Sequence, residues 1–296
     1  MDLYSEIKDY MLNGNEFDET LALRVVQSQA EKIPFYGEFL KKATGKTHFH
    51  KLSEVPPLPV DFFKTERLFT EKHHTGYFES SGTTGNKSKI YYNDNSLELY
   101  KISSLIAYPL KNRPVKTLID LSKHRVSSLA FMVNLFTQTF GGGQIQNILE
   151  DVHEGDVLFV TALQLFELIK NTTSPIHFHI TIVETGGYKK FASEEYNRFK
   201  LYAKARKIFP KATFYTEYGM TELFSQFYAD EHSHFKESHF LKVTEHKYGY
   251  LKVFDFANLY HISHIIVPDI IEWKNSGFEY VRRDINDERG CSYTFG

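Results

Sequence analysis

The sequence predicts an α/β fold with a largely parallel sheet flanked by helices. From residue 75 onward, strand-like runs alternate with helix-like runs: VKTLIDLS precedes SSLAFMVNLFTQTF, DVLFVTA precedes LQLFELIKN, and HFHITIVETGG precedes SEEYNRFKLYAKARKIF. Parallel neighbours need a crossover, and a helix is its usual form, so repeated strand–helix units imply a parallel sheet covered on its faces. A chain of 296 residues with 26 Phe and 19 Tyr can also bury a substantial core built from large rings.

The first 57 residues read as a helical lead-in and a connector. In LALRVVQSQAEKIPFYGEFLKKAT apolar positions recur at helical spacing until Pro34 interrupts them. Pro56, Pro57 and Pro59 then predict an extended path through SEVPPLPVDFFKTERLF. Residues 58–296 form the main domain in this reading. Its helix SSLAFMVNLFTQTF should stop at Gly141–Gly143, ATFYTEYG is a further strand leading into MTELFSQFYA as a helix, and the stretch from Gly249 onward is a strand-rich meander.

Charge and composition exclude several classes. Formal net charge is -2, so no nucleic-acid footprint covers the surface. No apolar run reaches the roughly 18 residues of a membrane helix, and the acidic start MDLYSEIKDYM lacks the features of a secretory signal. The expected location is the cytoplasm. Cys291 is the single cysteine, which excludes an internal disulfide and any multi-cysteine metal site. His73–His74, His177 with His179 (one face of a strand) and His232 with His234 suggest metal pairs, but no further ligands follow at a recognisable spacing. The basic stretch KHRVSS, residues 123–128, suits a phosphate or partner contact and equally a solvated loop.

The stretch ESSGTTGNKSK, residues 79–89, concentrates hydroxyls, glycines and lysines. Glycine lets backbone N–H groups approach oxyanions, and hydroxyl and ammonium groups add donors; the same composition also makes a plain hairpin turn. It is not a Walker A loop, because Gly82 and Gly85 are two residues apart and KIYYN after it reads as a strand. No G-x-G-x-x-G is present either. In open parallel sheets ligands bind beyond the carboxyl ends of the strands. Glu184–Gly187 (ETGG) and Glu217–Glu222 (EYGMTE) both fall at such ends.

SSGTTG followed by lysine resembles the phosphate loop of the adenylate-forming superfamily, and Tyr218-Gly219-Met220-Thr221-Glu222 is similar to its Tyr-Gly-x-Thr-Glu motif. Within that superfamily the chain looks like the LuxE-type acyl-protein synthetases, in PVDFFK, SSGTTG with SKI, ETGG, YGMTELFSQ, DFAN and a terminal Arg-Gly-Cys-Ser, over about residues 58–292. The resemblance implies an adenylate-forming N-terminal domain without a full C-terminal lid domain. It also implies ATP and Mg2+ as cofactors, and a fatty or other carboxylic acid as substrate.

By the same resemblance, Ser80, Ser81, Gly82, Thr83, Thr84 and Gly85 hold phosphates, Glu184, Thr185, Gly186 and Gly187 pass the adenine, and Tyr218 and Gly219 also bind the cofactor. Thr221 contacts the α-phosphate and Glu222 holds the metal. Lys87 or Lys89 offsets charge on pyrophosphate, Asp269 serves the ribose, and Arg283 also binds the cofactor. Cys291 takes the acyl group as a thioester for a reductase, acyltransferase or carrier partner, with Arg289 favouring its thiolate. Two departures stand out: Val267-Pro268-Asp269 where the family has Thr-x-Asp, and Arg282-Arg283 where it has Gly-Arg. Two other readings stay open, a ligase delivering to coenzyme A or a carrier protein with Cys291 inert, and a non-catalytic binding subunit.

Overall fold

The computed structural model describes residues 2–81, 86–186, 198–275 and 277–284. In chain order the elements begin with helices α1 (Leu3–Asn13), α2 (Glu19–Lys32) and α3 (Pro34–Thr44). Strands β1 (Leu58–Pro59), β2 (Gly76–Glu79) and β3 (Lys89–Tyr92) follow, then α4 (Asp94–Ala107) and β4 (Val115–Thr117). Next come α5 (Ser128–Phe140), β5 (Gly142–Gln144), α6 (Ile148–Asp151), β6 (Val157–Thr161), α7 (Ala162–Asn171), β7 (Thr181–Thr185), α8 (Arg198–Ile208), β8 (Thr213–Tyr218) and β9 (Phe227–Asp230). The chain then runs through β10 (Leu241–Val243), β11 (Gly249–Asp255), β12 (His264–Lys274) and β13 (Gly277–Arg283). Among the described residues no helix is long and apolar enough to cross a membrane.

The chain divides into two compact units, one of Met1–Ala107, Met220–Gln226 and His234–Gly296, the other of Tyr108–Gly219 and Phe227–Ser233. The second unit holds the predicted parallel sheet, ordered β5-β4-β6-β7-β8-β9, in which only β9 runs antiparallel to its neighbour. Leu158, Val160, Ile182 and Phe214 project from its strands into a core shared with Leu165, Leu201, Tyr202 and Phe209. Strands buried on both faces read as continuous apolar runs, which is why DVLFV and ITIV are legible as parallel strands.

The first unit is built on a five-stranded sheet ordered β1-β12-β11-β10 with β13 on β12. β11 to β13 are the strand-rich meander expected from Gly249 onward; they pair antiparallel, β10 extends the run ahead of that stretch, and β1 joins in parallel. Pro268 lies inside β12, where it has no N–H to donate. The pairing shifts there, from Lys252↔Ile266 to Tyr250↔Ile270, so the proline sits at an irregularity instead of breaking a regular ladder.

The structure corrects several local expectations. Pro34 does not merely interrupt a helix; it opens α3 at its first position, where the missing N–H costs nothing. The proline-rich connector is extended only in part, since Leu52–Glu54 and Val60–Lys64 are 3-10 turns. α5 ends at Phe140 as the glycines require, but Gly142 and Gly143 then begin β5. MTELFSQFYA is not a helix: residues 220–226 turn without regular structure, and FYAD is the antiparallel strand β9. Its pattern of apolar residues suited a helix, but pairing with β8 prevailed. His177 and His179 do not share a strand, because β7 starts at Thr181. The Nδ1 of His179 lies 2.6 Å from Glu154 instead.

Candidate active site

The hydroxyl loop leaves a hairpin. Strands β2 and β3 pair from Gly76↔Tyr92 to Glu79↔Lys89, and Ser80 and Ser88 close the neck beyond them. Ser80 N–H donates to the Ser88 carbonyl at 3.1 Å, and Ser88 N–H donates to Ser80 Oγ at 3.0 Å. Ser80 thus has a structural task at the mouth of the loop, next to exposed Ser81. Gly82, Thr83, Thr84 and Gly85 lie outside the described residues. Lys87 and Lys89 are exposed and already engaged: Lys87 pairs with Glu79 at 3.5 Å, and Lys89 lies over the Tyr77 ring, 5.1 Å from its centroid. Ser88 between them points the other way and is fully buried.

Thr221 and Glu222 ride on a turn whose backbone is gripped by buried polar side chains. Asn258 donates from Nδ2 to the Glu222 carbonyl at 2.7 Å and to the Ile262 carbonyl at 3.2 Å, while its Oδ1 accepts from Phe224 N–H at 3.0 Å. Asp255 accepts four bonds: Phe224 N–H (3.0 Å) and Ser225 N–H (2.9 Å) at Oδ2, and the Ser225 hydroxyl (2.7 Å) and Ala257 N–H (2.9 Å) at Oδ1. Burial pushes Asp255 up to about 6, with Ser225 and these backbone N–H groups opposing it. Gln29, from α2 and fully buried, extends the network: its Nε2 donates to the carbonyls of Asn258 (3.0 Å) and Leu259 (3.2 Å) and to Ser263 Oγ (2.9 Å). Its Oε1 accepts from Ser263 N–H at 3.1 Å.

Apolar packing fixes the same turn from its other side. Phe224 is fully buried and stacks on Tyr100, with ring centroids 4.8 Å apart, and meets Phe78 and His261 edge-on. The Glu222 carboxyl is raised above the ordinary carboxylate range, first by burial, while the nearby Ser88 hydroxyl and the Arg283 and Lys64 charges oppose the rise. Asp269 and Arg283, chosen from sequence for separate reasons, are cross-strand partners on β12 and β13, with Nη1 of Arg283 3.7 Å from Asp269 Oδ1. Asp269 follows Pro268 directly, so the irregularity that accommodates the proline also sets the carboxylate's place.

The other predicted residues belong to the second unit. Glu184 and Thr185 end β7, Tyr218 ends β8, and the parallel register sets Thr185 beside Glu217. Gly186 has φ +88°, the left-handed region in which glycine carries no Cβ penalty. Glu184 is buried and receives long hydrogen bonds from Tyr202 (3.4 Å) and Thr216 (3.3 Å). Glu217 is buried, and the Thr185 hydroxyl donates to it; burial pushes its carboxyl up to about 7, with that hydroxyl opposing. Gly219 is exposed at the strand's end. Gly187 and Cys291, with Arg289, lie outside the described residues.

The structure brings Thr221, Glu222, Asp269 and Arg283 into one unit; the sequence reading assigned no role to Ser88, Asp255, Asn258 or Gln29. A signal existed for two of them: Asp255 and Asn258 interrupt the apolar run LKVFDFANLY, and buried polar groups in such a run need partners. Gln29 carried none, being one amide in a polar helix. Among the described residues no group of three or more His, Cys, Asp or Glu side chains can hold a metal. A single carboxylate is still compatible with Mg2+, which is commonly bound by one or two carboxylates plus substrate phosphates and water.

The fold, with its parallel-sheet unit and its meander unit, matches that of the adenylate-forming enzymes' N-terminal domain. The luciferase-like enzyme of the nonluminescent mealworm Zophobas morio superposes with TM-score 0.53 at 17% identity, over 71% of this chain and 58% of that one. The O-succinylbenzoate coenzyme A synthetase of Bacillus subtilis, solved with AMP, gives 0.50 at 15% identity, over 74% and 51%. An ATP-bound RpMatB-BxBclM chimera gives 0.52 at 10%, over 71% and 48%. The chain thus spans about half the length of these structures. No family profile matches the sequence, and no curated protein matches it.

Proposed function

We propose that the protein activates a carboxylic acid with ATP and passes the acyl group to a thiol. The observation that carries this reading is the Thr221–Glu222 turn, held rigid by Asp255 and Asn258 and presenting a desolvated carboxylate on the fold of adenylate-forming enzymes. In the first step an oxygen of the substrate carboxylate attacks the α-phosphorus of ATP, the bond to the β-phosphate breaks, and pyrophosphate leaves. Two anions must meet, so preorganised donors account for most of what the protein contributes.

In this reading Ser80, Ser81, Gly82, Thr83, Thr84 and Gly85 bind the β- and γ-phosphates, and Thr221 orients the α-phosphate. One of Lys87 and Lys89 exchanges its surface partner to offset the leaving pyrophosphate. Glu184, Thr185, Gly186, Gly187, Tyr218 and Gly219 line the adenine, and Asp269 with Arg283 holds the ribose. Glu222 fits a magnesium ligand, and the ion, when bound, neutralises phosphate charge. In the second step the Cys291 sulfur attacks the acyl carbonyl, and AMP leaves with the C–O bonding pair. The substrate of this reading is a fatty acid, and the thioester then goes to a reductase, acyltransferase or carrier protein in the cytoplasm.

ATP–pyrophosphate exchange with a panel of fatty and aromatic acids tests the first step. Exchange should depend on acid and Mg2+, and Glu222→Gln should lower it at least about a hundredfold, the scale on which a single transition-state charge contact acts. No exchange with any acid leaves the binding-subunit reading. Intact-protein mass spectrometry then tests the second step: a hydroxylamine-labile adduct lost in Cys291→Ser supports self-acylation, whereas exchange without an adduct favours coenzyme A or a carrier protein as acceptor.

A further inference from the structure

The hydroxyl loop and the Thr–Glu turn belong to the same unit, and one buried side chain at their junction lacks a partner of ordinary geometry. Ser88 is fully buried, yet its hydroxyl makes no hydrogen bond of ordinary geometry. Its backbone is fixed on both sides by Ser80, so the side chain's direction is set. It lies beside the Glu222 carboxylate, whose own backbone is held by Asn258 at 2.7 Å. Buried polar groups are normally satisfied, and an orphaned one calls for an explanation. The neighbouring lysines do not supply it, since Lys87 and Lys89 face outward to Glu79 and Tyr77.

We propose that Ser88 is a positioning residue for Glu222: its hydroxyl donates to one carboxylate oxygen and leaves the other available to a divalent cation. The inference rests on the reading of Glu222 as the metal ligand. A hydroxyl suits this place because it orients the carboxylate without neutralising it. An ammonium at the same point would form an ion pair with Glu222 and compete with the cation for it.

The test uses the full chain, Mn2+ as the probe and α,β-methylene-ATP as the nucleotide, with free Mn2+ counted by electron paramagnetic resonance. Ser88→Ala should bind Mn2+ about tenfold more weakly, the loss of one hydrogen bond to a charged group. A merely structural role for Ser88 predicts a lower melting temperature with Mn2+ affinity within twofold of the parent. Should alanine fail to fold, Ser88→Cys, similar in size with a weak donor, carries the same expectation in affinity. If Ser88→Ala and Ser88→Cys bind Mn2+ within twofold of the parent while Glu222→Gln loses it, the inference falls and the metal reading stands. If Glu222→Gln also binds within twofold, both fall.

Discussion

The Glu217→Gln substitution tests how burial sets charge at the end of β8. Glu217 is enclosed by the parallel sheet, and its one described side-chain hydrogen bond comes from Thr185 on the adjacent strand. Burial disfavours the charged form more than one hydroxyl favours it, so the folded pKa rises from the ordinary 4.5 to about 7. Between these values the folded protein holds a proton that the unfolded chain has released. The native state binds more protons in that window, so stability falls as pH rises from 4.5 through 7. A shift of that size corresponds to about 3 kcal/mol, fully lost only above pH 7.

Glutamine keeps the shape, can accept from Thr185, and never ionises. The variant should match the parent near pH 4 and exceed it by up to about 3 kcal/mol at pH 8.5, an order-of-magnitude figure. Urea denaturation at half-unit pH intervals measures this directly, because other titrating groups cancel in the difference. His261 and His264, whose burial lowers their values to about 4 and about 3, act on both proteins alike with the opposite slope. Parallel stability–pH curves for parent and variant would refute the reasoning, since they would mean Glu217 is no harder to ionise folded than unfolded.

Two further substitutions address the scaffold. Asn258→Leu, similar in volume, removes the donor to the Glu222 carbonyl and leaves that carbonyl buried without it; we expect about 2–4 kcal/mol of lost stability in urea melts, and unchanged stability would show the network to be dispensable. Gly142 has φ +113°, and a Cβ there would fall 2.1 Å from the Val115 carbonyl oxygen on the paired strand β4. Gly142→Ala should therefore cost at least about 2 kcal/mol by forcing β5 away, which a thermal melt would register.

The glycine and proline positions show how unevenly the fold is written. Phase and type of the strands in the second unit were readable, because DVLFV and ITIV are buried on both faces and carry a continuous apolar signal. FYAD was misread as helix because four residues after a turn hold too little period to distinguish a strand from a helix. What decided it was pairing with β8, a contact the local sequence does not contain.

The candidate site divides the same way. The sequence by itself determined which residue types stand at the strand ends and in the hydroxyl loop, since SSGTTG, ETGG and YGMTE are contiguous and their chemistry travels with their spacing. Only the tertiary structure decided what surrounds them. Asp269 and Arg283 meet through strand register, Gln29 reaches Asn258 across 229 positions, and Ser88 turns inward while its lysine neighbours turn out. Hydrogen bonding and desolvation act over a few ångströms of space, and separation along the chain does not reveal which groups folding brings within that range.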